Sequence, residues 1–317
     1  MTPEYRLCVE NEKLWHPVEL YDFLIKNQNR SILIKMTPEA PCLTTLGLYS
    51  ILDQFNFDEV EIITANALER HDKYKITIAK SWYFFDKFIK PVDPVLQIWN
   101  KQKLFLCLYG RPTASRLGLV SYMHRHHANI SRLGCQAHIE DEDDRESFEL
   151  DKLFQYRAQS LLDFSNIKNN FPLTVPNAGK YERNTVMLDQ DIFLPVYKDI
   201  LVDVVAETFV QGKTFFPTEK TSRPIMLKKP MIVMASRNYL DYLHQVGFKT
   251  FNDFWSEDYD GYEGKERFLR ILELLDTLAK KTTRELEQMY IDMQPILEHN
   301  LILLQSRLYH KKIIEIS

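Results

Sequence analysis

The sequence predicts an α/β protein: two lobes, each a parallel sheet wound with helices, followed by a helical C-terminal segment. Three observations lead there. At 317 residues the chain is long enough for two domains of ordinary size. Short apolar runs that suit strands covered on both faces alternate with stretches at helical spacing. Pro91, Val92, Asp93 and Pro94 then separate two such series, giving domains at 1–98 and 99–280 and a helical segment at 281–317.

In the first series, His16 to Ile25 predicts a helix with Leu20, Phe23 and Leu24 on its apolar face and Pro17 in its first turn. Ser31 to Met36 predicts a strand. Leu43 to Phe55 predicts a helix that turns Leu46, Leu48, Ile51 and Leu52 inward. Val60 to Ile63 is the next strand, and a short one follows around Ile76. The aromatic-rich run from Trp82 to Ile89 reads as a helix at the domain edge.

In the second series, Lys103 to Tyr109 is a strongly apolar strand that ends in Gly110, Arg111 and Pro112. A helix follows from about Ser115 to His127, and another strand begins at Ile130. The acidic run from Glu140 to Glu146 reads as a solvated loop. Asp151 to Phe164 reads as helical, and Ser165 to Asn184 as an irregular surface segment. Ile200 to Val205 and Met231 to Met234 are both strands buried on two faces. Between them Thr218 is an N-cap, with Glu219 and Lys220 in the first helical turn. From Gly264 the chain is helical, with Phe268, Leu269, Ile271, Leu272 and Leu275 on one amphipathic face.

Forty basic side chains against 44 acidic ones give a formal net charge of −4, which supplies no long-range attraction to nucleic acid and leaves that role to a local basic face. The cysteines, Cys8, Cys42, Cys107 and Cys135, lie far apart without a CxxC and read as thiols of a reducing compartment. Charges fill the N-terminal stretch where a signal peptide needs an apolar run, and no segment is long enough to span a bilayer. The expectation is a cytoplasmic protein without a membrane span.

The chemistry concentrates around Lys220. A helix N-terminus beside the carboxyl ends of parallel strands is where an open α/β sheet receives phosphates. Lys220 adds a positive charge there, and Glu219 a carboxylate suited to ribose hydroxyls. Glu207 stands at the same height and serves either the ribose, the sugar or a backbone cap. Gly212, Lys213 and Thr214 do not make a P-loop, because Glu207 occupies the place of its first glycine. Asp258-Tyr259-Asp260 and Asp189-Gln190-Asp191 sit in a charged turn and an irregular region, not behind a buried strand, so neither is read as a metal site. His124 to His127 reads as a basic helix end and not a zinc site.

Thr218-Glu219-Lys220-Thr221, then Pro230-Met231-Ile232, Leu243, Gly247-Phe248-Lys249-Thr250-Phe251 and Asp258-Tyr259-Asp260, resemble in that order the C-terminal half of GT-B glycosyltransferases. The nearest likeness is to the fucosyltransferase-like and exostosin-like group, with its phage and large-virus relatives. The resemblance covers roughly the C-terminal two thirds of the chain and is fainter before Lys101. It implies two Rossmann-like domains and a metal-independent transfer from a nucleotide diphosphate-sugar to a hydroxyl acceptor, with no cofactor beyond that donor. It implies Glu219 on the ribose, and Lys220 with Arg111 or Arg116 on the diphosphate. The first domain then holds the acceptor through the loops Thr37 to Pro41 and Thr64 to His71. Glu39 and His71 are the candidate bases, or else a helix cap and an exposed loop residue. A hydroxymethylated base in DNA is one acceptor, with Lys228-Lys229, Lys280-Lys281 and His310-Lys311-Lys312 as a phosphate track. A cytosolic glycan precursor is another. A catalytically silent nucleotide-binding scaffold is the rival reading.

Overall fold

The computed structural model describes residues 2–10, 12–37, 40–79, 83–84, 89–110, 112–135, 156–157, 159–171, 173–175 and 193–316. The first lobe opens with β1 (Glu4–Arg6) and a small hairpin of β2 (Val9–Glu10) and β3 (Lys13–Leu14). It continues through α1 (Pro17–Lys26), β4 (Ser31–Met36), α2 (Leu48–Leu52), β5 (Glu59–Thr64) and β6 (Lys75–Ile78). Its four-stranded sheet has the order β1-β4-β5-β6, parallel throughout. Strand order follows chain order, so right-handed crossovers all fall on one face. Burial agrees: Ile32, Ile34 and Met36 of β4 alternate with partly exposed neighbours, as do Val60, Ile62 and Thr64 of β5. Leu20 and Leu24 of α1 and Leu48 and Leu52 of α2 share one core with Ile32, Ile34, Val60 and Ile62.

The helix predicted from Leu43 to Phe55 is shortened because Gly47 takes a left-handed backbone (φ 78°), which no α-helix passes through. Of the aromatic run at 82–89, only Tyr83, Phe84 and Ile89 are described, and both Tyr83 and Phe84 are fully buried. The first three strands escape sequence reading because runs of two or three residues carry no periodicity.

The second lobe begins with α3 (Pro94–Gln97), whose first turn Asp93 caps by accepting from Val95 N at 2.9 Å. Val92 and Leu96 pack against Leu106, Leu108, Ile200 and Leu227, so this helix sits on the second lobe, although it precedes residue 99. Then come β7 (Phe105–Tyr109), α4 (Ala114–His127), β8 (Ser131–Cys135) and α5 (Ser160–Ile167). Next are β9 (Val202–Ala206), α6 (Glu219–Met226), β10 (Met231–Met234) and α7 (Tyr239–Gln245). The sheet order is β10-β9-β7-β8, again all parallel. Every residue of β7, β9 and β10 is buried, as expected for a sheet covered on both faces. The chain is thus mixed α/β with two four-stranded parallel sheets, compatible with two Rossmann-like domains.

Three helices close the chain: α8 (Gly264–Ala279), α9 (Thr283–Ser306) and α10 (Tyr309–Ile316). Thr282 and Glu285 form a reciprocal capping box at the start of α9. Arg307, left-handed at φ 57°, breaks α9 from α10. The last helix returns to the earlier part of the chain. Tyr309 packs edge-on to Phe84 with ring centres 4.7 Å apart, and Arg70 Nη2 donates to Ile316 O at 3.1 Å. Among the described residues no helix is long and apolar enough to cross a membrane.

Candidate functional site

The second sheet reverses its winding. From β7 the chain steps outward to β8, then returns to the other side of β7 for β9 and β10. Ligands of open α/β sheets bind at such a reversal, outside the carboxyl ends of the strands. Here β7 and β9 pair only at Phe105↔Val202 and Leu106↔Asp203 and then part company. Side chains meet the carbonyls left over: Tyr109 OH donates to Val204 O at 2.9 Å. Arg116 Nη2, from the first turn of α4, donates to Ala206 O and Glu207 O at 3.1 Å each. Arg116 is buried, and these donors face protein carbonyls. Arg111, the other candidate for the diphosphate, lies outside the described residues, as does Glu39.

The start of α6 lies beside this reversal. Thr218 is its N-cap, accepting from Lys220 N at 3.3 Å. The buried Glu207 carboxylate takes the cap residue's own N–H and the hydroxyls around it. Its Oε1 accepts from Thr218 N (3.0 Å), Thr221 Oγ1 (2.6 Å) and Tyr239 OH (3.1 Å), and its Oε2 from Thr218 Oγ1 (2.6 Å). Of the roles open to Glu207, the geometry shows the cap. An anion at an N-terminus is favoured by the helix dipole. The α6 terminus, expected to supply charge to a phosphate, is therefore already matched by a protein carboxylate.

Lys220 is the reachable member of the group. Its Nζ donates to Glu219 Oε1 at 2.7 Å and to Thr208 Oγ1 and Thr218 Oγ1 at 3.2 Å, and its side chain keeps 16% exposure against 6% for Glu219. The amine is held by three protein oxygens on a side chain that is mostly buried. Burial pushes the Glu219 carboxyl up, but Lys220 and Arg223 outweigh it and hold it at about 2. Arg223, one turn further on, is buried, and among the described residues its Nε and Nη1 have no hydrogen-bond partner. Burial works against its charge, yet Tyr197 and the carboxylates Glu219, Asp203 and Glu207 more than compensate. Beneath it burial raises Asp203 to about 6, against Arg223 and a 2.5 Å hydrogen bond from Tyr197 OH. Arg223 escapes the sequence reading, although its spacing from Glu219 and Lys220 puts all three near one helix face.

The first-lobe loop expected to face an acceptor is instead part of the seam between lobes. Ala65, Asn66 and Ala67 are fully buried, and Ala67 N donates to Phe215 O at 3.2 Å. His71 is half-buried, tilted against Tyr49 (4.1 Å) and stacked on Tyr74 (4.7 Å), with Nδ1 accepting from Lys73 N at 3.1 Å.

The other motifs hold the framework. Asp260 caps α7 by accepting from Leu240 N (3.0 Å) and Asp241 N (3.3 Å), and pairs with the fully buried Arg267 at 2.9 Å. Asp258 pairs with Arg270 at 2.6 Å. In the Gly247 to Phe251 turn, Asn300 both receives from Lys249 N and donates to Lys249 O, each at 2.8 Å. His299 meets Gly247 O at 2.9 Å. Glu257 accepts from Thr250 Oγ1 and Phe251 N, and burial raises it to about 7. His127 and Tyr122 both hold Asp276, joining α4 to α8. Among the described residues no group of three or more His, Cys, Asp or Glu could hold a metal ion; Asp189 to Asp191 lies outside them. The expected phosphate track loses Lys229, which is buried with Nζ on Gln97 O at 3.0 Å, while Lys228 pairs with Glu298 at 2.9 Å.

Compared with family models, curated proteins and solved structures, the chain matches none.

Proposed function

We propose that this chain is a cytoplasmic glycosyltransferase that moves a sugar from a nucleotide diphosphate-sugar to a hydroxyl acceptor. One observation carries the reading: an ionised carboxylate and a reachable ammonium, Glu219 and Lys220, stand 2.7 Å apart beside the point where the second sheet reverses. On this reading Glu219 accepts from the donor's ribose hydroxyls, and the Lys220 amine turns to the diphosphate. The acceptor oxygen bonds to C1, the C1–O bond to the diphosphate breaks, and the nucleoside diphosphate leaves with the electron pair. The acceptor's proton passes to a base; of the candidates Glu39 and His71 the reading takes Glu39, because His71 Nδ1 accepts from Lys73 N and the neutral ring then carries its proton on Nε2. The protein's contribution is positioning and positive charge on the leaving group. Lys220 and Arg111 are the candidates for that charge, since Arg116 and the α6 terminus face protein groups.

A thermal-shift screen with UDP-, GDP- and CMP-sugars tests the donor site, because a ligand bound only by the folded state raises its melting temperature. At least one is expected to stabilise the wild type and to leave Lys220→Ala unmoved. No shift with any member sinks the reading. The acceptor divides by salt: a steep loss of activity with added salt marks DNA, and indifference marks a glycan. The engagement of Glu207 and Arg116 by protein groups favours a second reading, a nucleotide-binding scaffold without turnover. Binding without either transfer or donor hydrolysis is its signature.

A further inference from the structure

The loop from β9 to α6 is fastened to the opposite lobe along most of its length. Val210 N and Gln211 N both donate to Glu12 Oε1, at 2.8 and 3.0 Å. Lys213 O accepts from Asn66 Nδ2 at 2.9 Å, and Phe215 N donates to Asn66 Oδ1 at 3.1 Å. Phe215 O accepts from Ala67 N, and Pro217 O from Phe84 N at 2.6 Å. Thr218, the next residue, starts the helix that carries Glu219 and Lys220.

Asn66 grips this loop as a neighbouring strand would, one amide spanning a carbonyl and the N–H two residues later. It is fully buried, and its remaining capacity goes to Leu68 N (3.2 Å) and Glu69 Oε2 (3.0 Å). Glu12 stands in the two-residue turn between β2 and β3 at φ 60°, where glycine is the favoured residue. A side chain kept in that conformation while its carboxylate serves two amides of the other lobe is strain retained for a contact. Gly212 (φ 67°) marks how closely the lobes approach: an added Cβ would fall 2.3 Å from Thr45 Oγ1 and 2.8 Å from Cys42 Cβ. Within the second lobe, Glu207 holds Thr218 and Thr221, as above. Ser236 Oγ donates to Thr214 O, and the Phe215 ring packs on Tyr239 and Tyr242.

We propose that Asn66 and Glu12 are positioning residues, which hold the Glu219–Lys220 turn in place from the opposite lobe. A loop without secondary structure has little order of its own. Here the stretch from Val210 to Pro217 is tied to the first lobe while Glu207 holds Thr218 and Thr221 from the second, so movement between lobes reaches the Lys220 turn through that stretch. The affinity consequence rests on the nucleotide reading of that turn; the ordering consequence rests on the hydrogen bonds alone.

Amide hydrogen exchange on the full chain, with parallel titrations of UDP and GDP, tests both. Asn66→Ala and Glu12→Gly are expected to raise exchange at Thr218, Thr221 and Ser222 by about tenfold or more, with α8 and β10 unchanged. They also weaken UDP or GDP binding by about tenfold. Glu12→Gln, which keeps an acceptor oxygen for both amides, stays near the wild type. If Asn66→Ala does not fold, the Glu12 pair decides. Exchange raised only at 210–215, or raised uniformly through both lobes, overturns the proposal. A wild type that binds neither probe overturns the nucleotide reading, and the exchange result still decides this one.

Discussion

The two sheets have the same number of strands and the same parallel pairing, and they offer a ligand different things. In the first, strand order follows chain order, one face is covered, and β4 pairs with β5 along its whole length. In the second the order reverses between β7 and β9, both faces are covered, and the two strands part after two residue pairs. Only the second has a place where successive loops turn away from each other. Glu219, Lys220 and Glu207 gather there, whereas the loop after β5 is buried in the seam.

The largest effect that separates the two regions is on chemistry. Lys220→Ala should lower sugar transfer by about a hundredfold or more with the melting temperature little changed. His71→Ala, in the first lobe, should cost far less, since its Nδ1 accepts from Lys73 N and its Nε2 carries the ring proton. Equal losses in a steady-state assay would erase the contrast.

Next comes stability. Glu207→Ala leaves Thr218 N, Thr221 Oγ1 and Tyr239 OH without their shared acceptor in a buried place, which should cost about 3–5 kcal/mol. Denaturant unfolding measures it, and a loss below about 1 kcal/mol would contradict the saturated network described for that helix end.

A pH effect of intermediate size belongs to the second lobe. Glu257 is raised from the ordinary 4.5 to about 7, so the folded state binds its proton more tightly than the unfolded chain. That contribution is complete below pH 4.5 and is lost as pH rises through 7, a fall on the order of 3 kcal/mol. Asp203, raised from 3.8 to about 6, acts in the same sense over a lower window. Glu219 acts oppositely: held at about 2, it contributes above pH 4.5 and loses that contribution as pH falls through 2. Glu257→Gln should flatten the stability profile between pH 4.5 and 7. An unchanged slope in that variant would remove Glu257 from the account.

The smallest effect is on the first sheet's open face. Lys35 and Glu4 pair across β4 and β1 at 2.7 Å, both substantially exposed. Lys35→Ala should change stability by less than about 1 kcal/mol. A larger change in a thermal melt would mean that this face is covered after all.

Most strands of both sheets are readable because burial on one face leaves an alternation, as in Ser31–Met36, and burial on two leaves a short apolar run, as in Met231–Met234; β1 is too short to leave either. Thr218 was readable as a cap because capping is local. Partnership at a distance was not. Glu207 shows its use only when Thr218, Thr221 and Tyr239 are brought around it. Asn66 and Asn300 look like ordinary polar residues until each is seen mimicking a peptide group for a distant loop. Likewise, Asp258 and Asp260 share a spacing with metal ligands, but Arg270, Arg267 and two helix amides take their oxygens. Spacing names the residue types that chemistry can use; the donors that meet each oxygen decide whether any are left for a ligand.

Calorimetric titration of UDP- and GDP-sugars into the wild type and Lys220→Ala is the most direct test of where the ligand sits. The account predicts measurable heat of binding with at least one donor and an affinity reduced about tenfold or more in the variant. Equal affinity in the two proteins would place any nucleotide elsewhere and remove the reversal of the second sheet from the function.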